Sequence, residues 1–139
     1  MLGRLDNYGE NMAIYSDVMR LIDEADNGTT KSKFTNKQKQ EIDYLLHRLV
    51  WRKGKRVRGR NQNIWRKDVC GNLLRYDHYT KKYSLYRWEI DHIKPKRHGG
   101  SSRLSNLQPL QWRANRKKQA SWPRWKCYRP IKSRRIKIW

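Results

Sequence analysis

Residues 88–118 decide the reading of this chain. They run Trp88-Glu89-Ile90-Asp91-His92-Ile93-Lys94-Pro95, then Gly99-Gly100-Ser101, then Leu104-Ser105-Asn106-Leu107-Gln108-Pro109-Leu110, then Asn115-Arg116-Lys117-Lys118. The first block is rich in aromatic and β-branched residues and reads as a strand. Gly99-Gly100 marks a loop, Asn106 to Leu110 is a short apolar run, and Trp112 to Gln119 reads as a helix ahead of Pro123. Asp91 and His92 close the strand. Adjacent side chains on a strand face opposite ways, so a shared site needs a bend, which the loop beginning at Pro95 can supply. A histidine with an ordinary pKa near ~6.5 accepts a proton from water at neutral pH. Carboxylate and amide oxygens suit a hard divalent cation, which relieves the charge on a phosphodiester. The asparagines follow the pair in the pattern DH-x13-N-x8-N.

Outward from that stretch, the 139 residues carry 34 Lys and Arg against 12 Asp and Glu, a formal charge of +22, with 36% hydrophobic residues. The length fits one domain. No run approaches the roughly 18 apolar residues of a membrane span. The N-terminal MLGRLDNYGENMAIY has neither a basic region nor an apolar stretch, so neither a secretory signal nor a membrane partner is expected. Cys70 and Cys127, 57 positions apart, allow one disulfide. A reducing, intracellular setting is the simpler expectation, with Cys70 a small buried hydrophobe. The charge is uneven. Residues 1–29 hold two basic and six acidic side chains, residues 51–90 twelve and three, and residues 113–139 eleven and none. Such an excess repels itself unless a polyanion neutralises it, and solubility does not require it. Nucleic acid is the expected partner.

Residues 1–50 read as a helical N-terminal region. Asn11 to Asp26 spaces Met12, Tyr15, Met19 and Ile22 as one stripe, and Thr35 with Gln38 forms a capping box ahead of Ile42, Leu45, Leu46, Leu49 and Val50. Residues 51–64 open with WRKGKRVRGR, expected to be an exposed basic arm. Its Arg52, Lys53, Lys55, Arg56, Arg58 and Arg60 are candidates for phosphate contact. Residues 65–120 hold an α+β unit in which Trp65, Trp88, Leu107, Leu110 and Trp112 are the candidate packing residues. The extension 121–139 interleaves Trp122, Trp125, Tyr128 and Trp139 with Lys and Arg. Those rings either stack on bases or wrap back onto the domain, and disorder before nucleic acid binds is the expectation.

Taken in order, Asp-His-Ile-x-Pro, Gly-Gly-Ser, Leu-x-Asn-Leu-Gln-Pro-Leu and Asn-Arg-x-Lys resemble the HNH endonucleases from about Trp65 to Lys118. The resemblance implies a ββα-metal finger: two strands, a long loop between them, and a helix. It implies His92 as general base and Asp91 as a metal ligand. Asn106 would pin the long loop and orient the imidazole, and Asn115 would be the second protein ligand. Oxygen donors favour Mg²⁺, or another divalent ion such as Mn²⁺, over Zn²⁺. The family reaction leaves 5′-phosphate and 3′-hydroxyl ends, and double-stranded DNA is the substrate the resemblance favours. Lys94, Lys96 and Arg97 on the loop, with Arg116, Lys117 and Lys118 on the helix, are further candidates for nucleic-acid contact. Many members bind a structural zinc through two CxxC pairs; this chain has no such pair, so none is expected.

His47, beside the apolar stripe of its helix, reads as structural, His98 reads as solvated, and His78, in a polar turn region, carries no functional signal. Glu89 shares the face of Asp91 and reads as an ion-pair partner before a metal ligand. A second class of function competes with the nuclease: a non-catalytic, nucleic-acid-binding component of a ribosome or viral particle, to which so high a charge is suited. A third reading is a sequence-specific DNA-binding module whose nuclease finger only serves the insertion or homing of a genetic element.

Overall fold

The computed structural model describes residues 19–20 and 34–130. Of the helix expected over 11–26 only residues 19–20 are described, and they are helical; the rest of it and the last part of the basic extension lie outside the described residues. Within them the chain is α+β, with two helices and five strands. Helix α1 spans Asn36–Arg52. Strands β1 (Lys55–Arg56), β2 (Trp65–Lys67) and β3 (Leu73–Arg75) form one antiparallel sheet in that order. Strands β4 (Trp88–His92) and β5 (Leu107–Gln111) form a separate hairpin, and helix α2 (Trp112–Lys118) follows β5 without a gap.

Helix α1 starts where its capping box predicts. The Thr35 hydroxyl accepts from the Gln38 amide at 3.2 Å, and the Gln38 side chain accepts from the Thr35 amide at 2.9 Å. Its apolar stripe leads into Val50 and Trp51, both buried. The other end is closed by Arg66 of β2, whose guanidinium donates to the carbonyls of Arg52 (3.0 Å), Gly54 (2.8 Å) and Gln62 (3.0 Å). Gly54 permits that approach: a Cβ there would lie 3.0 Å from the Cβ of Arg66.

The expected basic arm is therefore not a free arm. Lys55 and Arg56 pair with Lys67 and Arg66, so the segment doubles back as a hairpin on the sheet. Strands of two and three residues show no alternation long enough to read, and Arg66, the side chain that anchors them, lies outside the arm. The strand-like run over Tyr83 to Tyr86 also differs from expectation. Ser84 bends it, its hydroxyl accepting from the Tyr86 amide at 3.1 Å, and regular pairing begins only at Trp88.

Val50, Trp51, Leu74, Trp88 and Leu107 make the core. The rings of Trp51 and Trp88 stand 5.3 Å apart, and Tyr79 meets Trp88 edge-on at 4.8 Å. Each buried indole N–H finds an acceptor, Trp51 on the Gln62 carbonyl and Trp88 on that of Tyr76, both at 3.1 Å, which removes the cost of burying the donor. Leu110 is buried as well, whereas Trp65, expected to pack inside, lies half-buried on the outer face of the small sheet.

The extension also departs from expectation. Cys70 and Cys127 are joined in a disulfide, with their Cα atoms 5.4 Å apart, so Cys70 is neither a free thiol nor merely a hydrophobe. The cause is the return of residues 121–130 across the turn at 68–72, where the Asn72 side chain donates to the Tyr128 carbonyl at 2.9 Å. Trp122 lies under the Lys94 ammonium at 4.9 Å, and Tyr128 under that of Lys117 at 5.7 Å. Up to residue 130 the extension wraps back rather than hanging loose. Closing a loop of 57 residues removes unfolded-state entropy worth about 4 kcal/mol in the chain-entropy account.

Candidate active site

The hairpin β4–β5 pairs Trp88 with Gln111, Glu89 with Leu110, Ile90 with Pro109, Asp91 with Gln108 and His92 with Leu107. Trp88 and Ile90 face the core. Glu89 and Asp91, on the opposite face, meet α2. The Asn115 amide donates to Glu89 Oε2 at 2.8 Å, and the Lys118 ammonium donates to Asp91 Oδ1 at 3.1 Å and to the His92 carbonyl at 2.9 Å. Gln108, across the strand pair, donates to the other oxygen of Asp91 at 2.9 Å. Asp91 is thus a nearly buried carboxylate with both oxygens held.

His92 ends the strand, and its ring Nε2 lies 3.1 Å from the Ser102 hydroxyl. The loop between the strands is fixed from within by Asn106. Its side-chain oxygen accepts from the Lys94 amide at 2.8 Å, while its NH2 donates to the carbonyls of Lys94 (3.0 Å) and Ser101 (2.6 Å). The backbone carbonyl of Asn106 accepts from the Ile93 amide at 2.8 Å. One residue therefore clasps both ends of the loop just beyond His92. The two glycines have separate reasons. Gly99 sits at a φ of 82°, and at Gly100 a Cβ would fall 1.7 Å from the Lys94 carbonyl oxygen.

Helix α2 is placed by a residue the sequence did not single out. Asp68 is 1% exposed. Its carboxylate accepts from the amides of Cys70 (2.9 Å), Asn72 (2.8 Å) and Gln111 (3.0 Å) and from the Asn72 side chain (3.1 Å). Gln111, fully buried, then caps α2 by accepting from the amides of Arg113 and Ala114 at 2.8 and 3.0 Å. The signal that could have found it is an aspartate directly before the Val-Cys-Gly turn, where a carboxylate bonds its own following amides.

The oxygen donors of Asp91 and Asn115 are of the type a hard cation takes. With Asn115 Nδ2 on Glu89, its carbonyl oxygen is the atom left to face a metal, and the Asp91 oxygens keep unused lone pairs. The structure sets Asn115 beside Glu89 and Lys118 beside Asp91 along one seam. Among the described residues no group of three or more His, Cys, Asp and Glu could hold a metal.

Two expected nucleic-acid contacts have their ammonium groups bonded within the chain. Lys118 is 1% exposed and bonded to Asp91, so its charge is spent inside the domain. The Lys53 ammonium donates to the Leu104 carbonyl at 2.7 Å and to that of Leu107, and burial lowers its pKa from the ordinary lysine value. Lys55, Arg56, Arg58, Lys96, Arg97, Arg116 and Lys117 are exposed, while Arg52, Arg60 and Lys94 are half-buried. His47 meets Tyr79 edge-on at 4.4 Å in a structural role. His98 bonds the Ala120 carbonyl at 2.9 Å, which ties the loop to the returning extension.

Residues 68–121 match the family model described as HNH endonuclease. Members of that family are nucleases that act on nucleic acid with a divalent metal. No curated protein and no solved structure is similar to the chain at a significant level. Among the described residues no helix is long and apolar enough to cross a membrane.

Proposed function

We propose that the HNH domain over residues 68–121 makes this chain a metal-dependent endonuclease of double-stranded DNA, with His92 as the general base. The observation that carries this reading is the end of β4: His92 follows a held carboxylate and precedes a loop clasped by Asn106. The imidazole of His92, whose Nε2 lies 3.1 Å from the Ser102 hydroxyl, takes the proton from water. That water attacks phosphorus, the bond to the 3′ oxygen breaks, and the ends are a 5′-phosphate and a 3′-hydroxyl. Asp91 and Asn115 would hold Mg²⁺ or Mn²⁺, which when bound relieves charge on the phosphate and the leaving oxygen. Gln108 and Lys118 keep the Asp91 carboxylate in place, and the Lys118 ammonium offsets its charge. Lys94, Lys96, Arg97, Arg116 and Lys117, on the loop and the helix that frame the site, take the flanking phosphates.

The test is plasmid nicking by the purified full chain, with Mg²⁺ and with EDTA. Cutting that requires the metal supports the reading. Tight, salt-sensitive binding without cutting in any divalent metal would overturn it and return the chain to the class of assembly components. The loop makes a second prediction. Gly100→Ala is expected to slow cutting by roughly tenfold or more, because a methyl group there displaces Lys94 from Asn106 and moves the neighbour of His92. Cutting at the wild-type rate would show that the clasp is not needed.

A further inference from the structure

Both pairs of the β1–β2 ladder set cation against cation, Lys55 opposite Lys67 and Arg56 opposite Arg66. The next row sets Trp65 opposite Arg75. Arg66 and Leu74 turn inward and are buried, so the alternate residues Lys55, Trp65, Lys67 and Arg75 share the outer face. Arg60, from the hairpin loop, lies over the Trp65 ring at 4.9 Å, and Arg75 lies at 5.3 Å from the same ring. Trp65 thereby holds two guanidinium groups in place. Asp77, bonded to Arg75 at 2.7 Å, is the acid beside this face. Among the described residues neither Lys55 nor Lys67 has an acidic partner.

Like charges directly opposite one another destabilise a strand pair. A two-residue edge strand gains little from backbone pairing with which to offset that cost. Phosphates of a polyanion would offset the exposed cations Lys55 and Lys67, which stand beside Arg60 and Arg75 on the Trp65 ring. The inner side of this sheet packs into the core behind β4, whereas α2 and the Asp91 carboxylate lie on the other face of β4.

We infer that the outer face of the β1–β2–β3 sheet is a second binding surface for the DNA duplex, gripping its backbone away from the cleaved bond through Lys55, Lys67, Arg60 and Arg75. This rests on the reading of the chain as a nuclease of duplex DNA. It contributes affinity without sequence preference, since phosphate contacts carry none.

The experiment measures binding of a labelled duplex to the full chain in EDTA, by fluorescence anisotropy between 50 and 200 mM salt (about the range over which phosphate contacts are most evident). The wild type is compared with Lys55→Gln/Lys67→Gln and with Lys55→Glu. For the double variant, the slope of log affinity against log salt is expected to become shallower by about 2, at about 0.9 per lost phosphate contact. Lys55→Glu is expected to lower affinity while raising the unfolding temperature, because it turns a like pair with Lys67 into an opposite one. An unchanged slope in the double variant overturns the inference and leaves the nuclease reading standing. An unchanged slope with a lowered unfolding temperature assigns the face to an acidic segment of the chain itself, and also overturns it. A wild type that binds no duplex overturns both readings together.

Discussion

His92→Ala is expected to lower the rate of plasmid cutting by about 10²–10⁴-fold, the usual contribution of a positioned general base. The effect should fall on the rate and not on the fold. His92 stands at the last position of β4, and its neighbours Asp91 and Asn106 keep their own partners when the ring is gone. The variant should therefore bind duplex in EDTA and unfold at the wild-type temperature. Added imidazole should restore part of the rate, because it supplies the missing proton acceptor to the space the ring vacates. Nicking kinetics with Mg²⁺ check all of this. A variant that cuts as fast as the wild type would remove His92 from the mechanism, whatever else the site does.

The largest loss of stability is expected at Asp68. Among the described residues its carboxylate has no cationic partner, and four N–H donors converge on it in the interior. Asp68→Ala leaves those donors without an acceptor. At ~1–3 kcal/mol for each buried group that water cannot reach, the loss is roughly 4 kcal/mol, a large share of the ~5–15 kcal/mol that holds a small domain. Asp68→Asn keeps one carbonyl oxygen and should lose less. Denaturant unfolding measures both. A loss for Asp68→Ala below about 1 kcal/mol, the net value of one ordinary hydrogen bond, would show that water replaces the carboxylate. Because Gln111 is one of the four, the same change should loosen the start of α2 and with it Asn115.

Much of the frame of the candidate site was legible because its information is local. Asp91-His92, Gly99-Gly100, Asn106 and Asn115 lie within 25 positions of each other, and strand, loop and helix follow in chain order. The capping box of α1 was legible for the same reason. What escaped depends on partners distant in sequence. Lys118 looks like one more surface cation until the helix brings it to Asp91, 27 positions back. Lys53 sits in a basic run and yet bonds carbonyls more than fifty positions away. The arm became a hairpin because of Arg66, a residue whose charge suggests the surface and whose geometry caps a helix. The disulfide could be allowed but not deduced, since nothing in the spacing of two cysteines says that the extension returns.

That bridge has a mechanical consequence. Cys70 and Cys127 enclose β3, the hairpin, the clasped loop and α2 in one covalent ring. Tension on the chain beyond residue 127, such as drag from a tail bound along a polymer, passes across the sulfurs to residue 70 and bypasses everything between. The segment that carries His92 is then shielded from the pull, and can keep its geometry while the ends of the protein are under strain.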